Sequence, residues 1–194
     1  MFRIAAMSCA VLLISVASSR GEVVITFSQS GANVLAQGTG TLDIASLTLA
    51  GHGDSGGFVT PNQASVGVGS FNTNDLYTGF TGPTSFGPAG FTNASSGTGD
   101  IEGIEGSGDM FLITPEAYTS GTALSGNATW DNTTISDLGL TPGTYTWNWG
   151  SGATADSLEV VIPGAAPEPD SMILAAVAIG VFVFGAWIRR RRPA

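Results

Sequence analysis

From Glu22 to Pro163 the apolar residues come in short bursts, with polar or small residues between them, and never at helical intervals. Leu158, Val160 and Ile162 alternate with Ser157, Glu159 and Val161, while Tyr145, Trp147 and Trp149 alternate with Thr144, Thr146 and Asn148. A period of two marks a strand with one buried face. The same reading predicts strands at Val23 to Phe27, Val34 to Gln37, Thr41 to Ile44, Val66 to Phe71, Met110 to Ile113, Ala128 to Trp130, Thr144 to Trp149 and Leu158 to Ile162. Gly, Asn, Ser and Pro separate these runs, as turn formers do. Thr141-Pro142-Gly143-Thr144 reads as a type II turn, with Pro setting φ and Gly taking the positive φ. Thr78 to Gly108, poor in alternation, reads as a long loop region or a set of short edge strands. The expected fold class is therefore all-β, an antiparallel β-sandwich over residues 22–163, for which a jelly roll is one winding.

Two other stretches follow a different pattern. Arg3 precedes an apolar run from Ile4 to Val16 and then Ala17, Ser18 and Ser19, the layout of a secretory signal peptide. Residues 1–19 are read as that signal, with a second cleavage point after Gly21. Cys9 has too little apolar chain before it for a lipoprotein signal, and as the sole cysteine it leaves the mature chain no disulfide. Near the other end, Ser171 to Ile188 is an uncharged run of 18 residues. As a helix it would span ~27 Å, close to a bilayer's hydrocarbon thickness. Nine of its residues are Leu, Ile, Val or Phe, which together favour insertion by about 3 to 5 kcal/mol. Trp187 falls at headgroup depth, and Arg189, Arg190, Arg191 and Arg192 form a positive stop-transfer tail over 189–194 that prefers the cytoplasmic side.

Charge placement sharpens this organisation. Of 194 residues only six are cationic: Arg3, Arg20 and Arg189 to Arg192. All 15 carboxylates lie between those groups, from Glu22 to Asp170. Nucleic acid is excluded as a partner, because its binding draws on Lys and Arg that the central segment lacks. Lys/Arg salt bridges are excluded there too, so stability must come from burial, backbone hydrogen bonds or bound metal.

Pro167-Glu168-Pro169 stands in the linker 164–170, just before the apolar run. The prolines cannot donate backbone hydrogen bonds and fix φ, which keeps the trio extended and accessible. This trio, one membrane span and an Arg cluster, in that order, resemble the sorting signal of PEP-CTERM proteins. The resemblance implies export, inner-membrane anchoring with the domain outside the cytoplasm, and processing by an exosortase as partner in an exopolysaccharide-making bacterium. The family often has Val before the trio and Ser or Thr after it, whereas here Ala166 precedes and Asp170 follows. Leu138 to Ala153, with Asp156 and Ser157, also look like the closing strands of many such proteins.

Candidate chemistry in the central segment is sparse. Gly53-Asp54-Ser55-Gly56-Gly57 copies the nucleophile motif of chymotrypsin-like proteases, but the lone His52 lies three residues before Ser55 and no general base can be placed; the expected structure is a tight glycine turn. Asp100, Glu102, Glu105 and Asp109 could offer oxygen ligands to calcium, although their spacing matches no EF-hand or nonapeptide repeat and a solvated acidic loop is the plainer expectation. No other cofactor is expected. Tyr145, Trp147 and Trp149 fit a sandwich core better than a platform for sugar rings, and both readings stand at this point. Asn93, Asn127 and Asn132 begin glycosylation sequons that imply no modification in a bacterium. The reading is a non-catalytic cell-surface or matrix protein, with an exopolysaccharide-binding module as the alternative.

Overall fold

In the computed structural model, which describes residues 21–106 and 109–164, the alternation in the sequence becomes thirteen strands. They are β1 (Glu22–Ser30), β2 (Asn33–Thr41), β3 (Thr48–Ser55), β4 (Phe58–Thr60), β5 (Ser65–Val68), β6 (Asn72–Thr78), β7 (Thr92–Asn93), β8 (Ser96–Gly99), β9 (Glu102–Gly106), β10 (Met110–Pro115), β11 (Ala123–Trp130), β12 (Gly143–Trp149) and β13 (Asp156–Ile162). Two sheets form: one in the order β12-β13-β1-β2-β11-β8, the other β3-β6-β10-β9-β5-β4-β7. The class is all-β, with the two sheets enclosing one main core, as in a sandwich.

Val23, Ile25 and Phe27 of β1, Val34 and Ala36 of β2, and Leu158, Val160 and Ile162 of β13 supply the inner face of the first sheet, each 2 % exposed or less. Val59, Val66, Val68, Ile104 and Leu112 face them from the second sheet and are fully buried. One pairing departs from the expected antiparallel arrangement: β1 runs parallel to β13, with Glu22 opposite Ser157 and Thr26 opposite Val161. β13 itself pairs antiparallel with β12, so it is an interior strand between two partners.

Several boundaries differ from the sequence reading. β2 ends at Thr41, and the chain then leaves the sheet: Leu42 is fully buried while Asp43 N–H donates to the Asp156 carboxylate. β5 ends at Val68 because Gly69, at φ +115°, cannot continue a strand, so Phe71 lies outside it. Gly143 is the first residue of β12 rather than a positive-φ turn residue; the left-handed position falls at Gly139, φ +66°, where Leu138, Gly139 and Leu140 close turns on Thr134, Ser136 and Ile135. Thr48 to Ser55, which carries little apolar alternation, is an edge strand whose exposed positions need no hydrophobic signal.

The region from Thr78 to Gly108 holds β7 and β8, each at a sheet edge, and β9, which is interior. Its first part covers the aromatic strand. Thr81 bridges Asn148 by two backbone hydrogen bonds, Phe80 meets Trp149 edge-on at 6.4 Å, and Phe86 packs on Tyr145 at 5.7 Å. Among the described residues no helix is long and apolar enough to cross a membrane. The signal over 1–19, the Pro167-Glu168-Pro169 trio, the span 171–188 and Arg189 to Arg192 all lie outside the described residues.

Candidate functional site

Strand alternation on β12 decides the aromatic question. Trp147 is fully buried and Trp149 is 4 % exposed, so neither ring offers a face to a sugar. Each indole N–H is satisfied inside, Trp147 Nε1 donating to the Pro83 carbonyl at 3.1 Å and Trp149 Nε1 to that of Asp43 at 2.7 Å. Gly82 lies against Trp147 so closely that any Cβ there would overlap the indole. Tyr145 is half-buried beneath Phe86, its hydroxyl donating to the Thr141 carbonyl. The platform reading of Tyr145, Trp147 and Trp149 is thus corrected: these rings are packing, covered by a segment whose own apolar residues were too sparse to betray it.

The acidic candidates part company for a similar reason. Glu102 and Glu105 are three apart on β9, so their side chains leave on opposite faces. Glu102 enters the core and is fully buried, Glu105 turns to the outer face, and Asp100 and Asp109 are exposed before β9 and β10. Asp100 Oδ2 instead accepts the Ser125 N–H at 3.0 Å. No group of three or more His, Cys, Asp or Glu is placed to hold a metal among the described residues. The four residues do not form the calcium site that their proximity in sequence suggested.

Glu102 is the group whose chemistry is most perturbed. Its Oε1 accepts the Gly126 N–H at 3.2 Å, whereas its Oε2 has no partner among the described residues. Gly38 of β2 makes room for the carboxyl, because a Cβ at that position would overlap Oε1. Burial pushes the Glu102 carboxyl up from 4.5 to about 7, with the Gly126 hydrogen bond opposing and the nearby Asp100 charge assisting. Burial likewise raises Asp156, which accepts from the N–H of Asp43 and of Ser157.

The protease-like motif dissolves into strand geometry. His52 and Ser55 lie three apart on β3 and so point to opposite faces. His52 Nδ1 meets Asp75 Oδ1 of the neighbouring β6 at 2.7 Å, directly across the register, while Asp75 Oδ2 accepts the Ala117 N–H at 3.0 Å. Ser55 Oγ accepts from Asn74 Nδ2 at 2.6 Å. Both side chains therefore serve strand pairing, and the expected tight turn starts only after Ser55.

What the sequence reading missed is a groove on the outer face of the seven-stranded sheet. On β4, Val59 enters the main core, and alternation sends Phe58 and Thr60 to the other side. Phe58 there joins Ile101 and Ile113 in a second small apolar cluster. Beside it opens a cavity of about 800 Å³. Its walls carry Phe71 and Phe91, 76 % and 62 % exposed, together with the Asn62, Gln63 and Asn93 amides and the carboxylates of Asp54 and Glu105. Phe91 stacks on Phe58 with ring centroids 6.0 Å apart and an interplanar angle of 26°, which fixes one ring face inward and leaves the other outward. Ser70-Phe71-Asn72 and Gly90-Phe91-Thr92 carried the available signal: large apolar residues set among turn formers rather than in alternation with other apolar ones.

No protein-family model matches this chain, and no curated protein or solved structure matches it significantly either.

Proposed function

We propose that this chain is an exported, non-catalytic cell-surface or matrix protein, held at the inner membrane by residues 171–188 and processed by an exosortase at the Pro167-Glu168-Pro169 trio. The single observation that carries this reading is the order of three sequence features: the trio, an 18-residue uncharged apolar run, and four consecutive arginines. The domain that leaves the membrane is a β-sandwich of jelly-roll kind over residues 22–163. Its character supports the reading. A body without Lys or Arg carries no positive charge to retain it on the cytoplasmic side. Its only His and the motif serine are both engaged in strand pairing, which supports the non-catalytic assignment.

Mass spectrometry of the protein from its native host tests both ends at once. The expected mature chain begins at Arg20 or Glu22 and lacks Arg189 to Arg192; in a host without the exosortase, the arginines remain and the chain stays with the membrane. Recovery of the intact chain from Met1 to Ala194 in the cytosol would overturn the proposal.

A further inference from the structure

We propose that the groove beside β4 binds a neutral polysaccharide, with Phe71 and Phe91 as the rings on which sugar residues stack. Phe71 and Phe91 are the most exposed large apolar side chains among the described residues, and both line the same cavity. Phe91 is held flat by Phe58, so its outward face is presented without an ordering cost at binding. Gly56, Gly57, Gly97 and Gly106 contribute little more than backbone to the lining, which leaves the space between the rings open. A volume of about 800 Å³ lies within the range of small-ligand sites, which runs from about 300 to about 1,000 Å³.

The polar lining selects the chemistry of the occupant. Asn62, Gln63 and Asn93 offer both donors and acceptors, and Asp54 and Glu105 offer acceptors. That set suits vicinal hydroxyls, which donate and accept in turn. It repels phosphate, sulfate and uronate groups, because two carboxylates face the groove and residues 21–164 contain no Lys or Arg to offset them. Rings flanked by amides and carboxylates match the alternation of a sugar itself, whose C–H face is apolar and whose edge is hydroxylated. The inference goes beyond the sorting signal and does not depend on it, since the groove belongs to the domain however that domain is delivered.

Native affinity electrophoresis of the full chain, in a detergent without a sugar headgroup, tests this with gels containing laminarin, hydroxyethylcellulose, galactomannan or alginate. At least one of the three neutral glycans is expected to retard the protein, and alginate is not. Phe71→Ala and Phe91→Ala should each weaken the retardation by about tenfold, the scale of one lost stacking contact. Phe91→Leu still covers Phe58 but has no flat face and should behave as Phe91→Ala, whereas Phe91→Trp should retain binding. Leu49→Ala, at another exposed apolar side chain outside the groove, should change nothing. Failure of every neutral glycan, retardation by alginate alone, or retardation untouched by the double Phe variant overturns the proposal. Self-association abolished by the same substitutions, with no glycan binding, would assign the groove to a second copy of the chain and overturn it as well.

Discussion

Replacing Glu102 by Gln should change how the stability of the domain depends on pH. The wild-type carboxyl is sealed between the sheets, with one oxygen bonded to Gly126 and the other unpartnered among the described residues, and it protonates near pH 7 instead of 4.5. A carboxyl whose folded-state value is raised binds more protons folded than unfolded, so stability falls as pH rises through that window. Below about pH 4.5 both states are protonated and nothing is lost. Above about pH 7 the loss is complete, and at ~1.4 kcal/mol per pH unit it amounts to about 3 kcal/mol. The amide introduced by Glu102→Gln is neutral throughout and nearly isosteric, and its oxygen can still accept from Gly126. Urea unfolding followed by tryptophan fluorescence, at pH 4.5, 6, 7 and 8, should show the variant gaining on the wild type as pH rises. At pH 8 the variant should be ahead by about 3 kcal/mol, near 10 °C in Tm for a domain of this size. Mutual repulsion of the other carboxylates and the raised Asp156 affect both proteins alike and cancel in the difference. Parallel pH profiles for the two chains would refute the reasoning.

Other substitutions probe packing and pairing. Trp147→Ala should cost about 3 to 5 kcal/mol, read as a fall in urea midpoint at unchanged m, since it empties a fully buried site and strands the Pro83 carbonyl. Gly38→Ala should cost about 1 to 3 kcal/mol by forcing a methyl against Glu102 and Val68, and combining it with a smaller residue at 102 should recover part of the loss. Ser55→Ala should lower stability by about 1 to 2 kcal/mol through the lost Asn74 contact, with calorimetry as the check. Millimolar calcium should leave Tm unchanged, because Asp100, Glu102, Glu105 and Asp109 do not converge.

The interior strands of the six-stranded sheet were legible because both of their neighbours are strands and only one face meets the core. Val23 to Phe27, Val34 to Gln37 and Leu158 to Ile162 show this in their alternation, and the structure keeps each of them. Much of the seven-stranded sheet was not legible. β3 buries little, and on β6 the buried positions include Asp75 beside Tyr77 on one face and Asn74 beside Leu76 on the other, so a hydrophobic pattern cannot mark it. β9 has glycine at two of five positions and a carboxylate in the core, which reads as loop until Gly38 and Gly126 are brought opposite it. The groove stayed hidden for a related reason. Its walls come from segments on either side of β4, β5 and β7, and no local spacing records that Phe71 and Phe91 line one cavity.

The parallel seam between β1 and β13 has a mechanical consequence. The chain leaves β13 at Ile162, beyond the Thr26–Val161 pair, and Glu22 starts β1 at the other end of that seam. A pull on the exit point runs along β13, which is gripped by β1 on one side and β12 on the other. The load is then shared by two ladders in shear, and the bonds must yield together rather than one after another. Were the domain tethered through its last strand, as proposed above, this seam would resist drag at the attachment. The same seam cannot close until the final strand has emerged, because Ser157 follows its partner Glu22 by 135 residues.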